Sequence, residues 1–143
     1  DTAVLIAQQV VTPGRYAIWQ KLHIPHVAIT FGQQTIEVSP VVIPGISACL
    51  DCLAYERLNE DSAWTALATQ LIRSPLRFDD SASRLFATGI AVRSILQQLD
   101  RGVGPMSDLK QSRGFKLDLV NQQVLELSWN ATERCDCQAE ANL

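Results

Sequence analysis

The four cysteines of this chain constrain its fold more than any other feature. Cys49 and Cys52 form a C-x-x-C, and Cys135 and Cys137 form a C-x-C near the end of the sequence. Two close pairs from distant segments, with no thiol left over, are typical of one tetrahedral metal site. Zinc accepts four thiolates and then keeps no open position for water or substrate. The spacing therefore predicts one structural, non-catalytic zinc ion bound by these four residues.

Two other uses of the thiols stay open. The C-x-x-C can close as a redox disulfide or stay free, whereas a C-x-C disulfide would be a strained ring. Bridges between the two pairs would need an oxidising compartment, and the sequence shows no signal peptide that would indicate one. The two histidines, His23 and His26, could also bind a metal, but each is predicted to lie outside the four-cysteine site, at a helix end or a strand edge.

Length and composition predict one compact domain, residues 1–143, because 143 residues of which 47% are hydrophobic can bury a sizeable core. The net charge is −3 and no run of Lys and Arg is present, which argues against a nucleic-acid partner. No apolar stretch reaches transmembrane length, so we predict a soluble, cytoplasmic protein. The polar tail, 138–143, is expected to fray. An apolar strand directly after Asp1 is expected of a fragment or a processed chain.

The pattern of apolar residues predicts an α/β fold. The run Ala3 to Ala7 is expected to be a strand of a parallel sheet that is covered on both faces. A helix capped by Thr12 and running to Leu22, then a strand from His26 to Phe31, would complete a β-α-β unit. The remaining predicted elements are a strand at 35–43, helices at 52–58, 62–72 and 81–99, and a hairpin at 115–120 and 123–129. The apolar face of the last of these helices is predicted to consist of Leu85, Ile90, Val92, Ile95, Leu96 and Leu99.

The segment Pro44-Gly45-Ile46-Ser47-Ala48-Cys49-Leu50-Asp51-Cys52-Leu53 carries a family resemblance. With a hairpin before it, Asp61 and Trp64 after it and paired cysteines at the end, it resembles the carboxyl-terminal half of the ThiF/MoeB superfamily, which is related to ubiquitin-activating enzymes. The most similar branch is the cyclodehydratase-associated one, which works in the biosynthesis of thiazole- and oxazole-modified peptides, including bacteriocins. The resemblance implies a Rossmann-like half domain with hairpins and a structural zinc staple.

Several features of that superfamily have no match in this sequence. No G-x-G-x-x-G follows a strand, and Gly102-Val103-Gly104-Pro105 is interpreted as a helix terminator rather than a phosphate loop. The adenylation arginines and the magnesium-binding acid of the superfamily have no counterpart. Glu133-Arg134 stands where the branch often has His-Pro before its last cysteines. We therefore expect no ATP site and no catalytic residue in this chain.

The resemblance implies a non-catalytic scaffold in azoline-forming modification of a ribosomal precursor peptide. Its partners would be that peptide and a YcaO-type cyclodehydratase, which uses ATP to form azoline rings. Two alternatives stay open: the carboxyl-terminal part of a ThiF-like adenylating activator, and a zinc-stapled dimerisation module. The apolar strands at the start predict that another copy of the chain, or an upstream half, buries the region from Ala3 to Phe31.

Overall fold

The computed structural model describes residues 1–74, 76, 80–101 and 113–137. These residues form four helices and one five-stranded sheet with strand order β1-β2-β3-β4-β5, which confirms a mixed α/β fold. The predicted terminator at 102–105 and the tail at 138–143 lie outside the described residues. The elements are β1 (Ala3–Gln8), α1 (Pro13–Lys21), β2 (His26–Phe31), β3 (Thr35–Val38), α2 (Leu50–Glu60), α3 (Trp64–Arg73), α4 (Ser81–Arg101), β4 (Gly114–Asp118) and β5 (Gln123–Leu127).

The first three elements form the predicted β-α-β unit. Strand β1 pairs in parallel with β2, from Ala3 opposite His26 to Gln8 opposite Phe31. Helix α1 begins at the predicted position, with Thr12 extended at the N-cap and proline at the start of the helix. The Thr12 side chain makes no capping hydrogen bond, and only its carbonyl oxygen contributes, accepting from the Arg15 N–H at 2.9 Å. The other strand pairs, β2–β3, β3–β4 and β4–β5, are antiparallel. The sheet is therefore mixed, and only its β1 edge has the parallel geometry.

Strand β3 ends at Val38, earlier than predicted, because the chain meets Pro40, which has no N–H to donate to a ladder. It returns to the sheet at Val42, which exchanges two backbone hydrogen bonds of 3.0 and 2.8 Å with His26. This second contact with β2 directs the following turn toward the start of α2.

Two apolar clusters cover the two faces of the sheet. Helix α4 covers one face, where Ala87 and Ala91 pack on side chains of β2 and β3. The second cluster lies on the opposite face and includes the first cysteine pair together with residues of β1, β2, α1 and α2. Its buried members are Leu5, Tyr16, Ala28, Val42, Cys49, Leu50, Cys52 and Trp129. The first cysteine pair is therefore part of a core, and Cys135 and Cys137 pack against it partly buried.

The prediction that β1 is covered on both faces is wrong for this chain. Leu5 and Ala7 are buried, but Val4 and Ile6 are 49% and 58% exposed. These two side chains share a sheet face with Val27 and Ile29 of β2, their partners in register. Helix α4 packs over β2 and β3 and leaves β1 open on this face. None of the described helices is long and apolar enough to span a bilayer.

Only part of the predicted apolar face of α4 contacts the sheet. Small side chains, Ala87 and Ala91, contact the sheet and are flanked by the partly buried Ile90 and Ile95. The larger residues of the predicted face point to solvent, namely Leu85, Val92, Leu96 and Leu99. The sheet leaves little room under α4, so alanines rather than leucines form the contact.

Candidate metal centre

The four cysteine sulfurs converge on one point of the molecule. All four Sγ atoms lie within 4.8 Å of one another. The distances are 3.8 Å from Cys49 to Cys52, 3.5 Å from Cys49 to Cys135 and 3.6 Å from Cys52 to Cys137. A tetrahedral zinc with Zn–S bonds of about 2.3 Å would hold its sulfurs about 3.8 Å apart. The donor set and the spacing therefore fit a single zinc ion, and these separations are well beyond a disulfide bond of about 2.05 Å.

A tight turn places the first pair. Pro44 and Gly45 occupy the centre of a turn in which the Ile46 N–H donates to the Ile43 carbonyl at 3.0 Å. Gly45 has a φ of +80°, which a type II turn requires at this position. The Ile43 N–H donates to the buried Ser47 hydroxyl oxygen at 2.8 Å and holds the turn closed. Cys49 then lies at the N-cap of α2, which begins two residues earlier than predicted.

The last strand brings the second pair to the same place. After β5, the buried Trp129 donates its indole N–H to the carbonyl oxygen of Cys49 at 2.8 Å. A turn follows in which the Cys135 N–H donates to the Thr132 carbonyl at 3.0 Å. The Thr132 backbone also hydrogen-bonds to the Cys52 sulfur, which favours the thiolate form. A backbone group therefore helps to stabilise the Cys52 thiolate.

The thiols affect each other's ionisation strongly. The hydrogen bond from Cys49 lowers the pKa of Cys52 to about 5. The same interaction raises the pKa of Cys49, because a second thiolate beside the first is unfavourable. Burial, followed by the hydrogen bond to Cys52, raises the pKa of Cys137 to about 12. A divalent cation among the sulfurs would neutralise the repulsion between neighbouring thiolates, because thiols that coordinate a metal are deprotonated.

Asp51 connects the centre to helix α1, a role that the sequence analysis did not predict. Its Oδ1 accepts a hydrogen bond of 2.6 Å from the Tyr16 hydroxyl, although the two residues are 35 positions apart. Burial, and then the hydrogen bond to Asp51, raise the pKa of Tyr16 above its ordinary value of 10.0. An acidic residue between the two cysteines of a C-x-x-C can be noticed in the sequence. Its hydrogen-bond partner cannot, because that partner depends on how α1 packs.

The two histidines lie outside the sulfur cluster, as expected. His26 is fully buried at the start of β2, and its Nδ1 lies 3.0 Å from the Ile24 carbonyl oxygen. Burial lowers the pKa of His26, so the ring is neutral at pH 7 and donates from Nδ1. His23 follows α1 with a φ of +54° and lines an open cleft beside Cys135 and Cys137.

Comparison with known proteins finds similarity of fold but not of sequence. No family's sequence pattern matches the chain, and no curated protein does. Solved structures do match. A chain of the E. coli microcin synthetase McbBCD complex is 17% identical with a TM-score of 0.66, over 95% of this chain and 52% of that one. A heterocyclase in complex with substrate and cofactor is 16% identical with a TM-score of 0.64, over 95% of this chain and 20% of that one.

Two further matches extend the set. The heterocyclase TruD is 14% identical with a TM-score of 0.57, over 94% of this chain and 27% of that one. E. coli MccB with AMPCPP and MccA is 10% identical with a TM-score of 0.60, over 96% of this chain and 39% of that one. The chain spans about half of the McbBCD chain and smaller shares of the others. These likenesses are of fold, and they support the resemblance that the sequence indicates.

Proposed function

We propose that this chain is a non-catalytic scaffold or partner subunit in azoline-forming modification of a ribosomal precursor peptide. The observation that carries the proposal is that nearly all of the chain, 94–95%, shares its fold with components of microcin synthetase and of heterocyclases. The four-cysteine centre supports it, because it joins the start of α2 to the segment after β5 in a rigid unit that a partner can bind.

Zinc would be structural in this role. Cys49, Cys52, Cys135 and Cys137 would hold it, and four thiolates leave it no position for a substrate. The ion would supply a cross-link between segments 85 and 86 positions apart. Its binding free energy would then contribute to folding rather than to a chemical step.

The partners in this proposal are a YcaO-type cyclodehydratase and its precursor peptide. The open face of β1, with Val4 and Ile6 exposed, supports a further contact there with a copy of this chain or with an upstream half. The scaffold would hold the peptide while the cyclodehydratase closes each azoline ring with loss of one water.

An adenylating activator is the second candidate. The fold likeness to MccB, which was crystallised with AMPCPP and with ATP, favours it. The sequence nevertheless has no G-x-G-x-x-G after a strand. Calorimetry with ATP and magnesium tests for nucleotide binding by this chain itself: micromolar binding would favour the activator, and the scaffold should give no heat of binding. The carboxyl-terminal part of an activator without its nucleotide half would also give none, so reconstitution with a YcaO-type protein decides between those two.

The scaffold proposal is tested by reconstitution. The chain is co-expressed with a YcaO-type protein encoded near it and with candidate precursor peptides, and the peptide mass is followed for successive losses of water. We expect ring formation only when this chain is present. Cys135→Ser should abolish it, whereas Asp136→Asn, which changes the exposed residue between the two cysteines, should not. Ring formation without this chain, or failure of the two proteins to co-purify, would overturn the proposal.

A further inference from the structure

Helix α3 is amphipathic, yet it buries none of its residues. Apolar side chains recur on one face at Trp64, Ala68 and Ile72, one turn apart. A helix of 10 residues is marginal in water unless such a face packs on a core. Leu67 and Ile72, which belong to the apolar side of α3, are nevertheless 41% and 52% exposed. The described residues therefore leave much of the apolar face of this helix exposed.

A cavity of about 370 Å³ lies beneath this face. Its floor is the sheet face opposite α4, where the side chains are small: Ala28, Thr30 and Ser39. Helix α2 and α3 form its walls, and the loop before α1 closes one end. Ligand pockets in proteins are typically about 300–1,000 Å³ with mostly apolar lining, so this cavity has the size and character of a binding site. It does not include the cysteines.

The charged side chains that line the cavity are already paired. Glu37 accepts a hydrogen bond from Arg57 and lies 3.9 Å from the Lys116 ammonium group. The Arg57 guanidinium stacks over the Trp64 ring, 5.0 Å from its centroid. Asp51 accepts from Tyr16. A charged ligand group would have to break one of these pairs, whereas a neutral apolar group would not.

We propose that this cavity binds a bulky apolar side chain of a peptide, with α3 closing over it. The inference rests on the proposed function, which supplies the peptide as the source of that side chain. The paired charges favour an aliphatic or aromatic residue over a lysine, arginine or acid. Contact with the side chain would cover the apolar face of α3, so binding should stabilise that helix.

N-acetyl-tryptophanamide is the probe for the test, and N-acetyl-lysinamide is its charged control. Backbone amide shifts of the zinc-loaded chain are recorded during titration with each. We expect the tryptophan probe to shift amides of α2, α3 and Thr30, and to slow hydrogen exchange in α3. The lysine probe should leave these amides unchanged. An absence of shifts with the tryptophan probe, or shifts confined to β1 and α4, would overturn the inference.

Two variants fill the cavity, and one matched variant does not. Ala68→Phe and Ala54→Phe place a ring in it from α3 and from α2. Ala66→Phe adds the same ring on α3 at an exposed position that does not line the cavity. We expect both filling variants to lose the probe shifts while keeping the folded amide spectrum, and Ala66→Phe to bind as the natural chain does. Probe binding by both folded filling variants would contradict the assignment.

The peptide part is tested separately in the reconstituted system. Ala68→Phe should lose peptide processing but still co-purify with the YcaO-type protein, because the cavity is distinct from the cysteine centre. If a variant that no longer binds the tryptophan probe still processes the peptide fully, the cavity does not bind the peptide side chain. That result would leave the scaffold proposal intact. Loss of co-purification by the natural chain is the result that instead counts against the scaffold.

Discussion

The indole N–H of Trp129 donates to the carbonyl oxygen of Cys49 across 80 positions of sequence. Trp129 follows β5, and Cys49 is the N-cap of α2. The bond therefore connects the same two segments as the sulfur cluster, but without depending on a metal ion. It positions Cys49 next to the segment after Trp129, which carries Cys135 and Cys137.

Trp129→Phe should show what this hydrogen bond contributes. Phenylalanine keeps much of the ring packing but removes the indole donor, so the Cys49 carbonyl oxygen keeps only its 3.4 Å hydrogen bond from the Leu53 N–H. We expect a loss of about 0.5–1.5 kcal/mol, the net contribution of one hydrogen bond. Urea unfolding of the zinc-loaded chain measures the change. Trp19→Phe is the control, because Trp19 lies partly buried at the margin of the same cluster. Equal losses in the two variants would show that ring volume, rather than the hydrogen bond, matters.

The metal prediction is about one zinc per chain, lost on treatment with a strong chelator. Removal should lower the melting temperature sharply, and Cys135→Ser should cost about 4–5 kcal/mol or more, because loss of a metal is among the causes of exceptionally large destabilisation. Asp136→Asn should change stability little, since Asp136 is exposed. Elemental analysis and melts with and without chelator are the measurements. An unchanged melting temperature after complete zinc removal would contradict a structural role.

The turn before the first cysteine pair gives a prediction about backbone conformation. Gly45→Ala should destabilise the chain by about 1–2 kcal/mol, because a side chain is disfavoured at positive φ even where, as here, there is space for it. Gly14→Ala is the matched control in helix α1, where a Cβ also meets nothing and alanine favours the helix. Gly14→Ala should therefore raise stability. A neutral Gly45→Ala would mean that the turn tolerates another conformation.

Local signals in the sequence predicted much of this structure. The C-x-x-C after Pro44-Gly45 and the C-x-C at the end indicated sulfurs that the fold brings together, and Thr12-Pro13 marked the start of α1. The pairing of Tyr16 with Asp51 could not be predicted, since it depends on the angle at which α1 meets α2. The packing of α4 through alanines was also missed, because periodicity identifies apolar positions without indicating how close the sheet lies.

The Tyr16–Asp51 hydrogen bond should make stability depend on pH in the alkaline range. The folded state raises the pKa of Tyr16 above 10.0, so the stabilisation is complete below that value and declines as pH rises beyond it. Tyr16→Phe should lose about 1–3 kcal/mol near neutral pH, because the partly buried Asp51 carboxylate loses a donor. Its free energy of unfolding should fall less steeply above pH 10. Parallel slopes for the two proteins would contradict the role of Tyr16.

The register partners Ile6 and Ile29 test whether the open face of β1 is covered in solution. Ile29 is 4% exposed, so Ile29→Thr should cost about 2–4 kcal/mol through lost packing and a buried hydroxyl. Ile6→Thr makes the same change on the 58% exposed neighbour and should alter the stability of a single chain by no more than about 0.5 kcal/mol.

Self-association should depend on Ile6 rather than on Ile29, the reverse of their effects on stability. An apolar edge strand that no other element covers attracts a second copy of the chain. We expect light scattering to show concentration-dependent self-association of the purified chain. Ile6→Thr should shift it toward the monomer, and Ile29→Thr should not do so while the chain stays folded. A monodisperse monomer for both the natural chain and Ile6→Thr would contradict a covered β1 face.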